Sequence, residues 1–105
     1  MRKFFVLALS VVFMATGAFA QQAKKYSDHY YKRTAQFEQE RPINSSDIVM
    51  LGDSLTEGGD WDTLFKEWLP TGISVVNRGI VGDDAPGIYD RLHQILPGNP
   101  KKIFL

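Results

Sequence analysis

The sequence predicts an α/β fold, a three-layer α/β/α sandwich around a parallel sheet. Three observations lead there. Ile48–Leu51 is a continuous apolar run bounded by polar residues and Gly52, the pattern of a strand buried on both faces. Ser74–Asn77 and Lys101–Leu105 read as two further strands, the last being only the start of one. Helical patterns separate the three, and a β-α-β-α-β series implies parallel strands joined by right-handed crossovers.

The elements follow in chain order. Tyr26, Tyr30 and Phe37 share one face of an amphipathic helix that Ser27 or Asp28 can cap and that Arg41-Pro42 closes. Strand one then delivers Asp53 and Ser54 into a turn. Asp60 caps a short helix carrying Trp61, Leu64, Phe65 and Trp68, which stops at Pro70 and Gly72. Phe65 is assigned to the core, with Trp61 left open between core and cleft. After strand two, Ile88, Leu92 and Ile95 at helical spacing predict one helix within Asp83–Leu96, and Pro97-Gly98-Asn99-Pro100 forms the turn into strand three.

The first twenty residues have the pattern of a secretory signal peptide. Basic Arg2 and Lys3 precede an apolar core from Phe4 to Met14, and Ala18-Phe19-Ala20 is an A-x-A cleavage pattern before Gln21. The apolar stretch is short of the ~20 residues a bilayer span takes, so a secreted or periplasmic protein without a stable membrane span is expected. Residues 21–105 carry ten basic and twelve acidic side chains, with no basic patch to suggest nucleic acid. The absence of cysteine excludes disulfides and a lipid-modified cysteine after the signal.

The chemistry concentrates in Ile48–Gly59, IVMLGDSLTEGG. Ser54 lies at the carboxyl end of a parallel strand, where α/β proteins place their sites, and the residues after it can open a helix whose first N–H groups have no intrahelical acceptor. A serine there is a candidate nucleophile and half of an oxyanion hole. The lipase elbow G-x-S-x-G is excluded, because position 56 is threonine. Asp53 reads as a cap that supports the turn. Paired loop carboxylates, Asp60 with Asp62 and Asp83 with Asp84, lack metal-site spacing and read as caps or solvated charges, so no metal is expected.

Gly52-Asp53-Ser54-Leu55 after an apolar strand, continued by Thr56-Glu57-Gly58-Gly59, resembles the first block of the GDSL or SGNH hydrolase superfamily. Asn77-Arg78-Gly79-Ile80-Val81-Gly82-Asp83 after strand two resembles its second block. The resemblance implies a flavodoxin-like strand order and a serine esterase acting through a Ser54 acyl-enzyme. It also places Gly82 where the family's oxyanion-hole glycine donates its N–H; Gly79 is read as a turn glycine of positive φ. The N-terminal helix and both loops are most similar to the branch of platelet-activating-factor acetylhydrolase subunits and bacterial carbohydrate acetylesterases, which implies short acyl esters of a small molecule or glycan as substrate.

The family's Gly-x-Asn-Asp and terminal Asp-x-x-His blocks have no counterpart here. Residues 21–105 are therefore expected to be the N-terminal portion of such a domain, catalytically incomplete alone, with strand three left as an apolar edge. Asp90-Arg91-Leu92-His93 spells D-x-x-H, but on a helix that runs away from the strand ends; His93 and His29 are read as helix residues without catalytic duty. The alternative from another class is a non-catalytic glycan- or cell-wall-binding protein using the same strand-end cleft.

Overall fold

Three strands, β1 (Asp47–Gly52), β2 (Ser74–Gly79) and β3 (Lys102–Phe104), form one parallel sheet in the order β2-β1-β3. The computed structural model describes residues 24–105; the signal sequence expected at 1–20 lies outside the described residues. The fold is mixed α/β, and its sheet order opens as a flavodoxin-like 2-1-3 arrangement does. In register, Val49 pairs with Val76 and Ile103, and Gly52 with Gly79, so β1 and β2 end level with one another.

Helix α1 (Asp28–Gln39) starts where Ser27 Oγ accepts the Tyr30 N–H at 3.0 Å, which selects Ser27 over Asp28 as the cap. It buries Tyr30 and Phe37, seven residues and two turns apart. The chain then crosses into β1 through Asp47, a fully buried carboxylate held by Arg41 (2.7 and 2.8 Å) and by the Asn44 N–H (2.8 Å). Arg41 outweighs the opposing effect of burial and holds the Asp47 carboxyl below its ordinary value. The stability contributed by Asp47 is thus present above the ordinary aspartate range and is lost as pH falls through the lower folded value. Urea titrations from pH 6 to pH 2.5 are expected to show a flatter acid limb for Asp47→Asn than for the parent; parallel limbs would refute this.

Side chains alternate across the strands, and the two sheet faces differ. On one face Val49, Leu51, Ile43 and Ile95 form a buried cluster with Val76, Ile88 and Leu92 packed against it. Each fully buried aliphatic there is worth about 1.5–3 kcal/mol relative to exposure. Arg78 emerges on this face too. It is almost wholly buried, pairs with Glu40 at 2.7 Å and lies 4.6 Å over the Phe37 ring; its Nε is the one buried side-chain polar atom without a partner among the described residues.

The other face is covered over β2 by two short helices, α2 (Ser54–Glu57) and α3 (Trp61–Phe65), while Ile48 and Met50 of β1 are only partly buried. Strand β1 is therefore fully enclosed on one face, not on both as its apolar run suggests. Composition states an average preference for burial; the area of the layer above decides how much is satisfied. Ile103 and Phe104 of β3 are 37% and 49% exposed, and Leu105 after the strand is 88% exposed.

Two other elements depart from expectation. Phe65 stacks on Trp61 (centroids 6.2 Å apart, 15° between planes) yet stays half-buried, and Leu64 and Trp68 are exposed. The helix expected within 83–96 is α4 (Ala85–Asp90) followed by single 3₁₀ turns at Leu92–Gln94 and Leu96–Gly98. The break is at Arg91, whose backbone leaves helical geometry (φ −114°, ψ 7°) while its side chain turns into the interior. Among the described residues no helix is long and apolar enough to cross a membrane.

Candidate active site

Beyond Gly52 the chain bends at Asp53, whose Oδ1 accepts the Leu55 N–H at 3.2 Å, and Ser54 begins α2. Asp53 is thus the cap that its position before the helix suggests. The helix closes with Glu57 N–H donating to Asp53 O (2.9 Å) and Gly58 N–H to Ser54 O (3.0 Å). Ser54 is exposed at the carboxyl edge of the sheet.

The neighbouring strand sends its loop off the same edge. Ile80 N–H donates to Gly52 O at 3.0 Å, extending the β1–β2 ladder by one step, and Val81 and Gly82 follow it into solvent. Ser54 and Gly82 thus leave one rim, two and three residues past the paired glycines. Among the described residues no acceptor holds either the Ser54 or the Gly82 N–H.

The positive φ expected of Gly79 falls on Gly82 instead. Gly82 is the one at positive φ (+81°), and a Cβ there would meet nothing within 4 Å, so backbone conformation alone calls for glycine. Gly79 is buried under α2; a Cβ there would sit 2.1 Å from Glu57 N and 2.6 Å from Thr56 C. Absence of a side chain at 79 lets the Ser54 helix lie directly on β2. Asn77 completes the seat, its Nδ2 donating to Glu57 O (3.0 Å) and its Oδ1 accepting the Gly79 N–H (2.9 Å).

Two charged side chains that the sequence reading passed over tie these loops together. Glu57 Oε1 accepts from His29 Nε2 (2.7 Å) and from the Val81 N–H (3.0 Å), with Arg33 Nε at 3.4 Å. Burial works against its charge, but the hydrogen bonds from His29 and Val81 and the nearby Arg33 hold its carboxyl below the ordinary value. Arg91 lies beneath both strand ends. Its Nε donates to Asp83 Oδ2 (2.8 Å), Nη1 to Arg78 O (2.7 Å) and Nη2 to Gly52 O (3.2 Å), with both side chains of the ion pair 1% exposed.

One signal for Arg91 was present. It shares a helical face with Ile88, Leu92 and Ile95, and a cation on an apolar stripe must be paired if buried. Glu57 lay within the quoted first block, but its partners come from 24 and 28 residues away.

Four other carboxylates have partners within the protein. Asp83 pairs with Arg91, Asp84 caps α4 through the Gly87 N–H (3.1 Å), and Asp60 caps α3. Asp90 is held by Lys25 (2.8 Å) and Tyr26, and His93 lies in the following 3₁₀ turn.

A cleft of about 590 Å³ borders the Ser54 turn, lined by Asp53, Leu55, Thr56, Ile88, Tyr89 and Leu105 among others. Gly82 borders a separate hollow of about 240 Å³ beside Tyr26 and Tyr30. The arrangement offers an exposed hydroxyl at the head of a short helix, next to an apolar cleft. No protein-family model matches the chain, and no curated protein matches it.

Proposed function

We propose that the protein is a secreted or periplasmic serine ester hydrolase of the GDSL or SGNH type, acting on short-chain acyl esters of a small molecule or glycan. The observation that carries this reading is the common rim: Gly52-Asp53-Ser54-Leu55 turns off β1 at the edge where the glycine loop of β2 also leaves, with Ser54 exposed. In the reaction Ser54 Oγ bonds to the acyl carbon as its proton passes to the histidine that the resemblance places beyond Leu105. The alcohol departs with a proton, and water then cleaves the acyl-enzyme to release the acid and restore the hydroxyl. The Ser54 and Gly82 N–H groups hold the oxyanion, where loss of one such donor costs about 100- to 1,000-fold in rate. No cofactor enters this scheme.

The test is covalent labelling of the full-length protein by a fluorophosphonate, in which Ser54 Oγ displaces fluoride from phosphorus. The parent is expected to label and Ser54→Ala to remain unlabelled. Equal labelling of both would reject Ser54 as nucleophile, and an unlabelled parent that retains glycan-fragment affinity would favour a binding protein.

A further inference from the structure

We infer that Glu57 is a positioning residue, its carboxylate locking the loop that carries the Gly82 N–H to the helix that carries Ser54. The inference rests on the hydrolase reading above and deepens it. One oxygen of Glu57, three residues after Ser54, accepts the N–H of Val81, the residue immediately before Gly82. The 80–81 peptide, adjacent to the 81–82 peptide that carries the Gly82 N–H, is thereby tied to the nucleophile's own helix. Two side chains of α1 hold the carboxylate in turn, His29 Nε2 at 2.7 Å and Arg33 Nε at 3.4 Å, and Arg33 also donates to Gly79 O at 2.9 and 3.2 Å.

Helix α1 therefore acts on the rim through Glu57 without touching the reacting groups. Gly82 is exposed, at positive φ, in a turn that Asp83 N–H closes by donating to Ile80 O at 3.1 Å. The turn fixes its local shape, and the Glu57 contact is what ties that turn to the nucleophile's helix. An oxyanion donor acts only if it is aimed before charge develops, and an error of about 1 Å costs about 100-fold.

The experiment compares the parent, Glu57→Gln and Glu57→Ala in full-length protein, reading the fluorophosphonate labelling rate and amide exchange at Val81 and Gly82. Glutamine retains an acceptor oxygen for the Val81 N–H, whereas alanine leaves none. Glu57→Ala is expected to lose Val81 protection and label about 100-fold more slowly, while Glu57→Gln keeps the protection and recovers most of the rate. Rescue by glutamine separates positioning of the amide from a purely ionic contribution to folding. A parent that labels at Ser54 together with a Glu57→Ala variant of equal rate would overturn the inference and leave the hydrolase reading intact. A parent that does not label would overturn that reading, and this inference with it.

Discussion

Replacing Arg91 by methionine is expected to lower folding stability by about 3–5 kcal/mol, the usual cost of leaving one member of a buried ion pair uncompensated. The partner left behind is Asp83, 1% exposed, and the guanidinium also serves the last carbonyls of two strands, Arg78 O and Gly52 O. Methionine fills a similar volume but returns none of these hydrogen bonds. Since small domains hold only about 5–15 kcal/mol in total, the loss approaches the whole margin. Adding Asp83→Asn to Arg91→Met should recover part of the deficit, because the orphaned charge is gone while Arg78 O and Gly52 O still lack the guanidinium's hydrogen bonds. Urea midpoints of the parent, the single variant and the double variant check this. A single variant within about 0.5 kcal/mol of the parent, the range of ordinary surface changes, would show that the pair carries no such weight.

Gly79→Ala is the second large effect, and it joins packing to reactivity. The new methyl would enter the Glu57 and Thr56 backbone, with the nearest atom at 2.1 Å. A main-chain obstacle cannot rotate aside, so α2 must lift from β2. Overpacking of this kind costs about 1–3 kcal/mol, and Ser54 moves with its helix. Fluorophosphonate labelling should slow by about 100-fold, as for other displacements near 1 Å. Gly82→Ala meets no atom and bears only its positive φ, about 1–2 kcal/mol for an L-residue. Comparison of the two alanine variants by thermal denaturation and labelling separates close approach from backbone conformation. Labelling by Gly79→Ala at the parental rate would mean that α2 does not need the bare surface of β2.

Several features of the rim were legible without coordinates because their causes are local. The β1 run is apolar and β-branched, and it ends at the first residue able to turn sharply. Asp53, Asp60 and Asp84 each precede a helix by one position and each accepts an N–H two or three residues onward. A cap is decided within four residues, so the sequence contains the whole interaction. The same holds for Ser27 against Asp28, where the geometry chose between two candidates already named.

The long-range assignments went differently. Gly79 ends β2 and Gly82 follows three residues later in the loop, and the two look alike as letters. Their distinction depends on α2 crossing directly above Gly79, a matter of which element covers which strand. Arg91 likewise belongs to an apolar helical stripe by spacing, yet interrupts the helix to reach two carbonyls 13 and 39 residues away.

Taken by itself, the amino-acid sequence determined the three strands, the helices up to the break at Arg91, their caps and the turn that exposes Ser54. Those features arise from periodicity, backbone preference and hydrogen bonds closed within one turn of chain. The tertiary structure decided the register of β2 and β3 on β1, the close approach of α2 to Gly79, and the Glu57 and Arg91 clasps. Each of these depends on groups from distant segments meeting at hydrogen-bond or van der Waals distance, and no local preference encodes which distant segment will arrive.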